Sequence, residues 1–191
     1  MARRRMIPRD AYRLRPIARE DLDLLLAWRN APHIRRWMYT QRPISREEHV
    51  AWFERVRTME SARHLIFECA GNPLGVMNFV GIRSDRTEAS WGFYLAAAEP
   101  PRGMGMKLGV VGLAFAFESL ELSKVRAEVL TSNERSLAFH RKLGFRDEEV
   151  LVQHAVDDGR CEDVNVLGLV RDHWRLSRER FERSAFGEEG R

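Results

Sequence analysis

Residues 100 to 109 read PPRGMGMKLG, and they lead straight into an apolar run with helical spacing, LGVVGLAFAFESL. Prolines end regular structure and glycines free the backbone, so the segment is expected to be a tight turn that delivers exposed N–H groups to a helix start. The aligned peptide dipoles of that helix add about half a positive charge at the same end. Such a place binds an anion.

The elements that position this turn alternate along the chain. YRLRPI (12–17) is expected as a short strand and REDLDLLLAWRN (19–30) as a helix, with Glu20 or Asp21 at its start and Leu22, Leu25 and Leu26 as its apolar stripe. The run 44–60, ISREEHVAWFERVRTME, opens with Ser45 and Glu48 at capping-box spacing, predicting a second helix. RHLIFECA (63–70) and LGVMNFVGI (74–82) flank Gly71-Asn72-Pro73, a hairpin signal, and TEASWGFYLA (87–96) supplies a further strand. A long helix over about 104–120 carries Leu108, Val111 and Phe115, with Leu122 beyond it; KVRAEVLT (124–131) then alternates as a strand. ERSLAFHRKLGF (134–145) is expected as a short helix stopped at Gly144. EEVLVQHAV (148–156) and EDVNVLGLV (162–170), joined through Asp157-Asp158-Gly159, form a closing hairpin. This is one mixed α/β domain over 11–172, followed by a charged helix or tail at 173–191.

Composition bounds the function. At 191 residues and 44% hydrophobic, the chain can bury one sizeable core. Its net charge is +4, but the 32 Lys and Arg are interspersed with 28 acids, and the arginines of the first nineteen residues lack interleaved aromatics. A solvated basic terminus is expected there, and no nucleic acid is expected as a partner. No apolar run approaches the ~20 residues needed to span a bilayer, and no apolar core follows the basic start as in a secretory signal, so a cytoplasmic protein with no membrane partner is expected. Cys69 and Cys161 lack metal-ligand spacing. Both are expected reduced and buried, with no metal bound.

Two local patterns then occur in a telling order. Residues 102–107, Arg-Gly-Met-Gly-Met-Lys, resemble the Arg/Gln-x-x-Gly-x-Gly/Ala signature of the GCN5-related N-acetyltransferases (GNAT family), matched at Arg102 and Gly105. About thirty residues on, NERSLAFHRKLGF resembles that family's second signature, matched at Asn133, Ser136, Lys142, Gly144 and Phe145. The resemblance covers roughly residues 11–170. It implies a mostly antiparallel, twisted sheet of about seven strands flanked by helices and splayed between strands four and five.

It also implies acetyl-CoA as cosubstrate and direct attack of an amine on the thioester. The turn would cradle the cosubstrate's diphosphate through Arg102, Gly103, Met104, Gly105, Met106 and Lys107, with Asn133, Ser136 and Lys142 alongside. A main-chain N–H near Tyr94 or Leu95 would steady the oxyanion. Lys107 stands where the family has Gly or Ala, and its ammonium is either a second phosphate ligand or a solvent-facing helix residue. His140 occupies the place of the family's tyrosine, which protonates the departing thiolate. It is expected to take over that acid role, the alternative being a thiolate that leaves unaided. Glu128 is the leading candidate base if half-buried, the alternative being a surface glutamate paired with Arg126 or Lys124, and Glu88 is the runner-up.

For the acceptor, Trp28-Arg29-Asn30, Trp37-Met38-Tyr39, Ile44-Ser45 and Glu48-His49 with Trp52 resemble a narrower group: the UDP-4-amino-4,6-dideoxy-N-acetyl-β-L-altrosamine N-acetyltransferases of pseudaminic acid synthesis, which serves flagellin modification. Aromatic faces of Trp28, Tyr39, Trp52 and Tyr94 suit a uracil or a deoxy-sugar, and Arg29 with Arg35 or Arg36 suits a diphosphate. The tryptophans equally suit a core. Asn78 departs from the small hydroxyl residue of close relatives and is a further candidate at the reaction centre. The resemblance allows a homodimer. Two other readings stand: acetylation of a protein N-terminus, as in the ribosomal-protein alanine acetyltransferases, and a basic binding domain without activity.

Overall fold

The computed structural model describes residues 7–155 and 160–187. In chain order they form β1 (Tyr12–Pro16), α1 (Leu22–Asn30), α2 (Pro32–Arg35), α3 (Arg46–Val56), β2 (Ala62–Cys69), β3 (Asn72–Val80), β4 (Glu88–Leu95), α4 (Met104–Ala114), β5 (Lys124–Leu130), α5 (Glu134–Lys142), β6 (Arg146–Ala155), β7 (Cys161–Val170) and α6 (Arg171–Phe186). One mixed sheet runs β1-β2-β3-β4-β5-β7-β6, with β4 and β5 parallel and every other pair antiparallel. The β4–β5 ladder ends at Trp91 and Ala127, so the remainder of β4 has no partner on that side and the sheet opens there.

Strand alternation gives the sheet two faces. Leu65, Phe67, Met77, Phe79, Trp91, Val125, Ala127 and Leu167 form one, buried in the main core with residues of α4, α5 and α6. A Cβ at Gly109 would sit 2.8 Å from Leu143 and 2.9 Å from Phe139, so a glycine is what lets α4 lie against α5. The opposite face carries His64, Ile66, Val76, Asn78, Gly92, Tyr94 and Glu128. It is covered more thinly, by a small cluster of Leu25, Trp28, Ile66, Val76 and Tyr94 and by Leu130 and Val164 with Trp37.

The expected capping box is present: Ser45 Oγ accepts the Glu48 N–H, and Glu48 Oε2 accepts the Ser45 N–H. The β2–β3 turn is made by Ala70 and Gly71, with φ of +48° and +81°, as a two-residue hairpin demands. The long helix expected to 120 is regular only to Ala114 and continues as a π-type turn over Phe115–Ser119. The short α2 carries no amphipathic signal in sequence and rests on Pro32 at its first position. Of the cysteines, Cys69 is buried, but Cys161 is exposed because it begins β7 at the end of the outer hairpin. The Asp157-Asp158-Gly159 turn lies outside the described residues. Residues 171–186 form a helix that buries Trp174, Phe181 and Ala185.

Candidate active site

The turn before α4 is built as an anion cradle. Gly103 caps the helix at φ +81°, a left-handed conformation that favours glycine, and no side chain occupies the cap. The Met104 N–H goes to the Pro101 carbonyl and the Lys107 N–H to the Gly103 carbonyl. The N–H groups of Gly103, Gly105 and Met106 have no acceptor among the described residues. Three donors at a helix start fit a diphosphate, with exposed Arg102 beside them. The second signature segment is adjacent, since Phe139 of α5 lies 3.7 Å from a Cβ position on Gly105. Asn133 caps α5 through its Oδ1, which accepts the Ser136 N–H at 3.1 Å, and Lys142 is exposed.

Lys107 does not face the cradle. Its ammonium donates to Tyr12 Oη at 3.2 Å and lies 4.7 Å from the centre of the Tyr12 ring and 5.6 Å from that of Phe186. With its backbone N–H spent inside α4 and its charge held by two aromatic faces, it ties α4 to β1 and α6. That corrects both readings of its side chain, as phosphate ligand and as solvent-facing lysine.

His140 is corrected too. It is 3% exposed, ringed by Trp91, Phe93, Phe139 and Phe145. Its Nδ1 donates to the Ser136 carbonyl at 2.8 Å, and its Nε2 accepts the Trp91 indole N–H at 3.1 Å. Burial lowers its pKa to about 4, against a smaller opposing effect of the Ser136 carbonyl. The imidazole is therefore neutral, its one proton is committed to a backbone oxygen, and none remains for a departing thiolate.

The opening between β4 and β5 exposes main-chain amides of the kind that can steady an oxyanion. The Ala96 N–H donates to the Leu74 carbonyl on β3, so by alternation the N–H groups of Phe93 and Leu95 face the gap. Of the two expected positions, Leu95 therefore presents its amide to the gap and Tyr94 does not. The Tyr94 side chain lies on the thinly covered face, and burial raises its pKa above the usual phenol range.

On that face four residues follow one another across four strands. His64 pairs with Asn78 and Asn78 with Gly92, while Gly92 and Glu128 are the first residues past the last β4–β5 pair, Trp91–Ala127, one on each side of the opening. A methyl group on Gly92 would meet no heavy atom within 4 Å, so this glycine is an open floor in the middle of the row. Glu128 is exposed rather than half-buried, and its Oε2 accepts the Tyr39 hydroxyl at 2.7 Å. Desolvation first, then Glu128, hold the Tyr39 hydroxyl well above its ordinary pKa. On the other side Asn78 Oδ1 accepts from His64 Nδ1 at 2.9 Å, the His64 ring meets Trp52 edge-on, and Trp52 stacks on His49. His49 is buried, which lowers its pKa, and its Nε2 has no hydrogen-bond partner. Glu88 starts β4, level with Lys124 and two rows from the floor.

Several residues expected to touch the acceptor are engaged with the protein's own main chain. Asn30 uses both ends of its amide on the Ile44 main chain, at 2.8 Å each; Arg29 donates to the Thr40 carbonyl and Arg35 to the Gln41 carbonyl. Together they pin residues 40–44 and with them the segment carrying half-buried Met38 and exposed Tyr39. Trp28 packs against Leu25, Ile66, Val76 and Tyr94. Sequence reasoning passed over His64, although its place opposite Asn78 follows once the β2–β3 hairpin is set in register. Among the described residues no group of three His, Cys, Asp or Glu side chains is placed to hold a metal ion.

A family model for the acetyltransferase (GNAT) domain matches residues 12–146. The chain belongs to the GNAT family. It is an acetyl-CoA-dependent N-acetyltransferase. The chain is 30% identical over 128 residues to the SPbeta prophage-derived uncharacterized N-acetyltransferase YokL of Bacillus subtilis, covering 66% of this chain and 71% of that one. It is 28% identical over 126 residues to the acetyltransferase PseH of Campylobacter jejuni, covering 66% and 77%. Against the spermidine N(1)-acetyltransferase of Escherichia coli the identity is 24% over 154 residues, covering 81% and 83%. The spermidine N-acetyltransferase of Vibrio cholerae, solved with CoA and spermine, superposes with a TM-score of 0.79 at 21% identity over 87% of this chain and 99% of that one; it shares the fold.

Proposed function

We propose that this GNAT enzyme acetylates the 4-amino group of a UDP-4-amino-deoxy sugar in pseudaminic acid-type nonulosonate synthesis. The observation that carries this reading is the make-up of the face around Gly92. Aromatic rings of Tyr39, Trp52 and Tyr94 lie on it, Arg126 shares it two residues before Glu128, and the Arg126 Nε is buried without a hydrogen-bond partner. An unpaired guanidinium nitrogen favours an acceptor rich in acceptor oxygens. A polyamine would gain from a line of carboxylates, whereas the row across the floor holds one, Glu128, already engaged by Tyr39. The likeness to PseH over 126 residues adds weight, and the likeness to the spermidine enzymes makes polyamines the acceptor to test against it.

In this proposal Arg102 and the Gly103, Gly105 and Met106 amides hold the diphosphate of acetyl-CoA. The thioester lies in the gap between β4 and β5, where the Leu95 N–H meets the oxygen as it gains charge. Glu128 draws the acceptor's ammonium over the floor, and Tyr39 fixes the carboxylate's orientation. Trp52 and Tyr94 offer ring faces to uracil or to the deoxy-sugar. The test is thiol release with acetyl-CoA and a panel of UDP-4-amino sugars, spermidine and N-terminal peptides. Turnover on the sugar nucleotides, at a kcat/KM at least tenfold above the other amines, is expected. Preference for spermidine or a peptide would overturn the acceptor assignment.

A further inference from the structure

We propose that His64, oriented by Asn78, takes the proton from the acceptor's ammonium. The inference rests on the amine-transfer reading above and deepens it. An attacking amine arrives as –NH3⁺ and must lose a proton before its lone pair is free. His64 has the arrangement of an oriented base: its Nδ1–H is held by Asn78 Oδ1 at 2.9 Å, which leaves the lone pair on Nε2, and Nε2 has no partner among the described residues. An amide oxygen orients the ring without adding a charge.

Burial lowers the pKa of His64, the Asn78 bond opposing it, so the ring is neutral and able to accept at neutral pH. The charged or titratable groups on elements packed around it are His49 on α3, across Trp52; Arg15 on β1, tied to Asp21 and Glu68; and Glu128 beyond the floor. Neighbouring strands lie about 4.8 Å apart, so His64 and the open floor at Gly92 are two strand spacings from each other. With Nδ1 spent on Asn78, the bare Nε2 is the far nitrogen of the ring and looks away from that bond, so the proton of an amine over the floor reaches it along bridging water.

The balance is complete. His64 Nε2 takes one proton and becomes imidazolium. The freed nitrogen forms the C–N bond, the C–S bond breaks, and the second nitrogen proton goes to the departing sulfur. No proton is asked of His140. Asn78, an amide that cannot accept a proton at neutral pH, is a positioning residue in this scheme.

The experiment has two arms. Ring-nitrogen NMR of the free protein should show His64 protonated at Nδ1 and bare at Nε2. The assay uses whichever of a UDP-4-amino sugar or spermidine the wild type acetylates. There His64→Gln should lower kcat/KM at least 100-fold and remove the acid-side inflection of its pH profile, with acetyl-CoA affinity within threefold of wild type. Asn78→Asp should move that inflection to higher pH, because a carboxylate favours the imidazolium. A proton found on Nε2, or a His64→Gln enzyme within threefold of wild type with the same profile, would overturn the proposal. Wild-type preference for spermidine would sink the sugar assignment alone, since a proton must leave either ammonium.

Discussion

Burial takes the His140 imidazole out of its ordinary titration range, and that has a measurable cost at low pH. Its native pKa of about 4 lies below the unfolded value near 6.5, so between those values the unfolded chain binds a proton that the native chain refuses. Stability therefore falls as the pH drops through that window, by about 3 kcal/mol from this residue, and the loss levels off below it. Urea unfolding at pH 7 and pH 4.5 should show His140→Phe with a shallower decline than wild type; equal declines would mean the ring is already solvated. The same residue shows what sequence can carry. Its place in the second GNAT signature was legible, but its two hydrogen bonds come from Ser136 and from Trp91, 49 positions away, and only the folded sheet brings Trp91 there. Lys107 is a similar case, since its partners Tyr12 and Phe186 sit at opposite ends of the chain.

Element boundaries followed from local rules at the Ser45 capping box and the left-handed Gly103, whereas the β2–β3 turn falls on Ala70 and Gly71, earlier than the expected Gly71-Asn72-Pro73, because Asn72 and Pro73 already pair with β2. The C-terminal helix is less legible, because its buried stripe is only Trp174, Phe181 and Ala185, spaced by seven and four among charged residues. Trp174 is 1% exposed, and its indole N–H is buried without an acceptor. Trp174→Ala should cost about 3–5 kcal/mol through the cavity it leaves. Trp174→Phe fills most of that space and removes the orphaned donor, whose burial costs about 1–3 kcal/mol. It should unfold within about 1 kcal/mol of wild type. A phenylalanine variant as unstable as the alanine one would show that the indole N–H has a partner after all.

At the scale of the whole molecule, one discontinuity organises the chemistry. Because β5 leaves β4 after Trp91, a strand edge with free amides opens beside the N-terminus of α4, and the row from His64 to Glu128 crosses the sheet beside the same opening. The sequence signatures point to the turn after Pro101 as the proposed cosubstrate end. They carry no mark of Gly92, whose open position appears only when its neighbours across the sheet are known. Gly92→Val should leave acetyl-CoA binding within threefold of wild type while lowering acceptor turnover at least tenfold, since the added side chain enters open space on the acceptor face. Loss of both together would place the two substrates elsewhere.

Cosubstrate binding as proposed depends above all on the amides that follow Pro101. A Cβ at Gly105 meets nothing in the protein closer than Phe139 at 3.7 Å, so a larger residue there strains the ligand and not the fold. Calorimetric titration of acetyl-CoA into wild type and Gly105→Val tests the cradle directly. An affinity at least tenfold weaker in the variant, with an unchanged melting temperature in the absence of ligand, is the predicted result; equal affinity would contradict it.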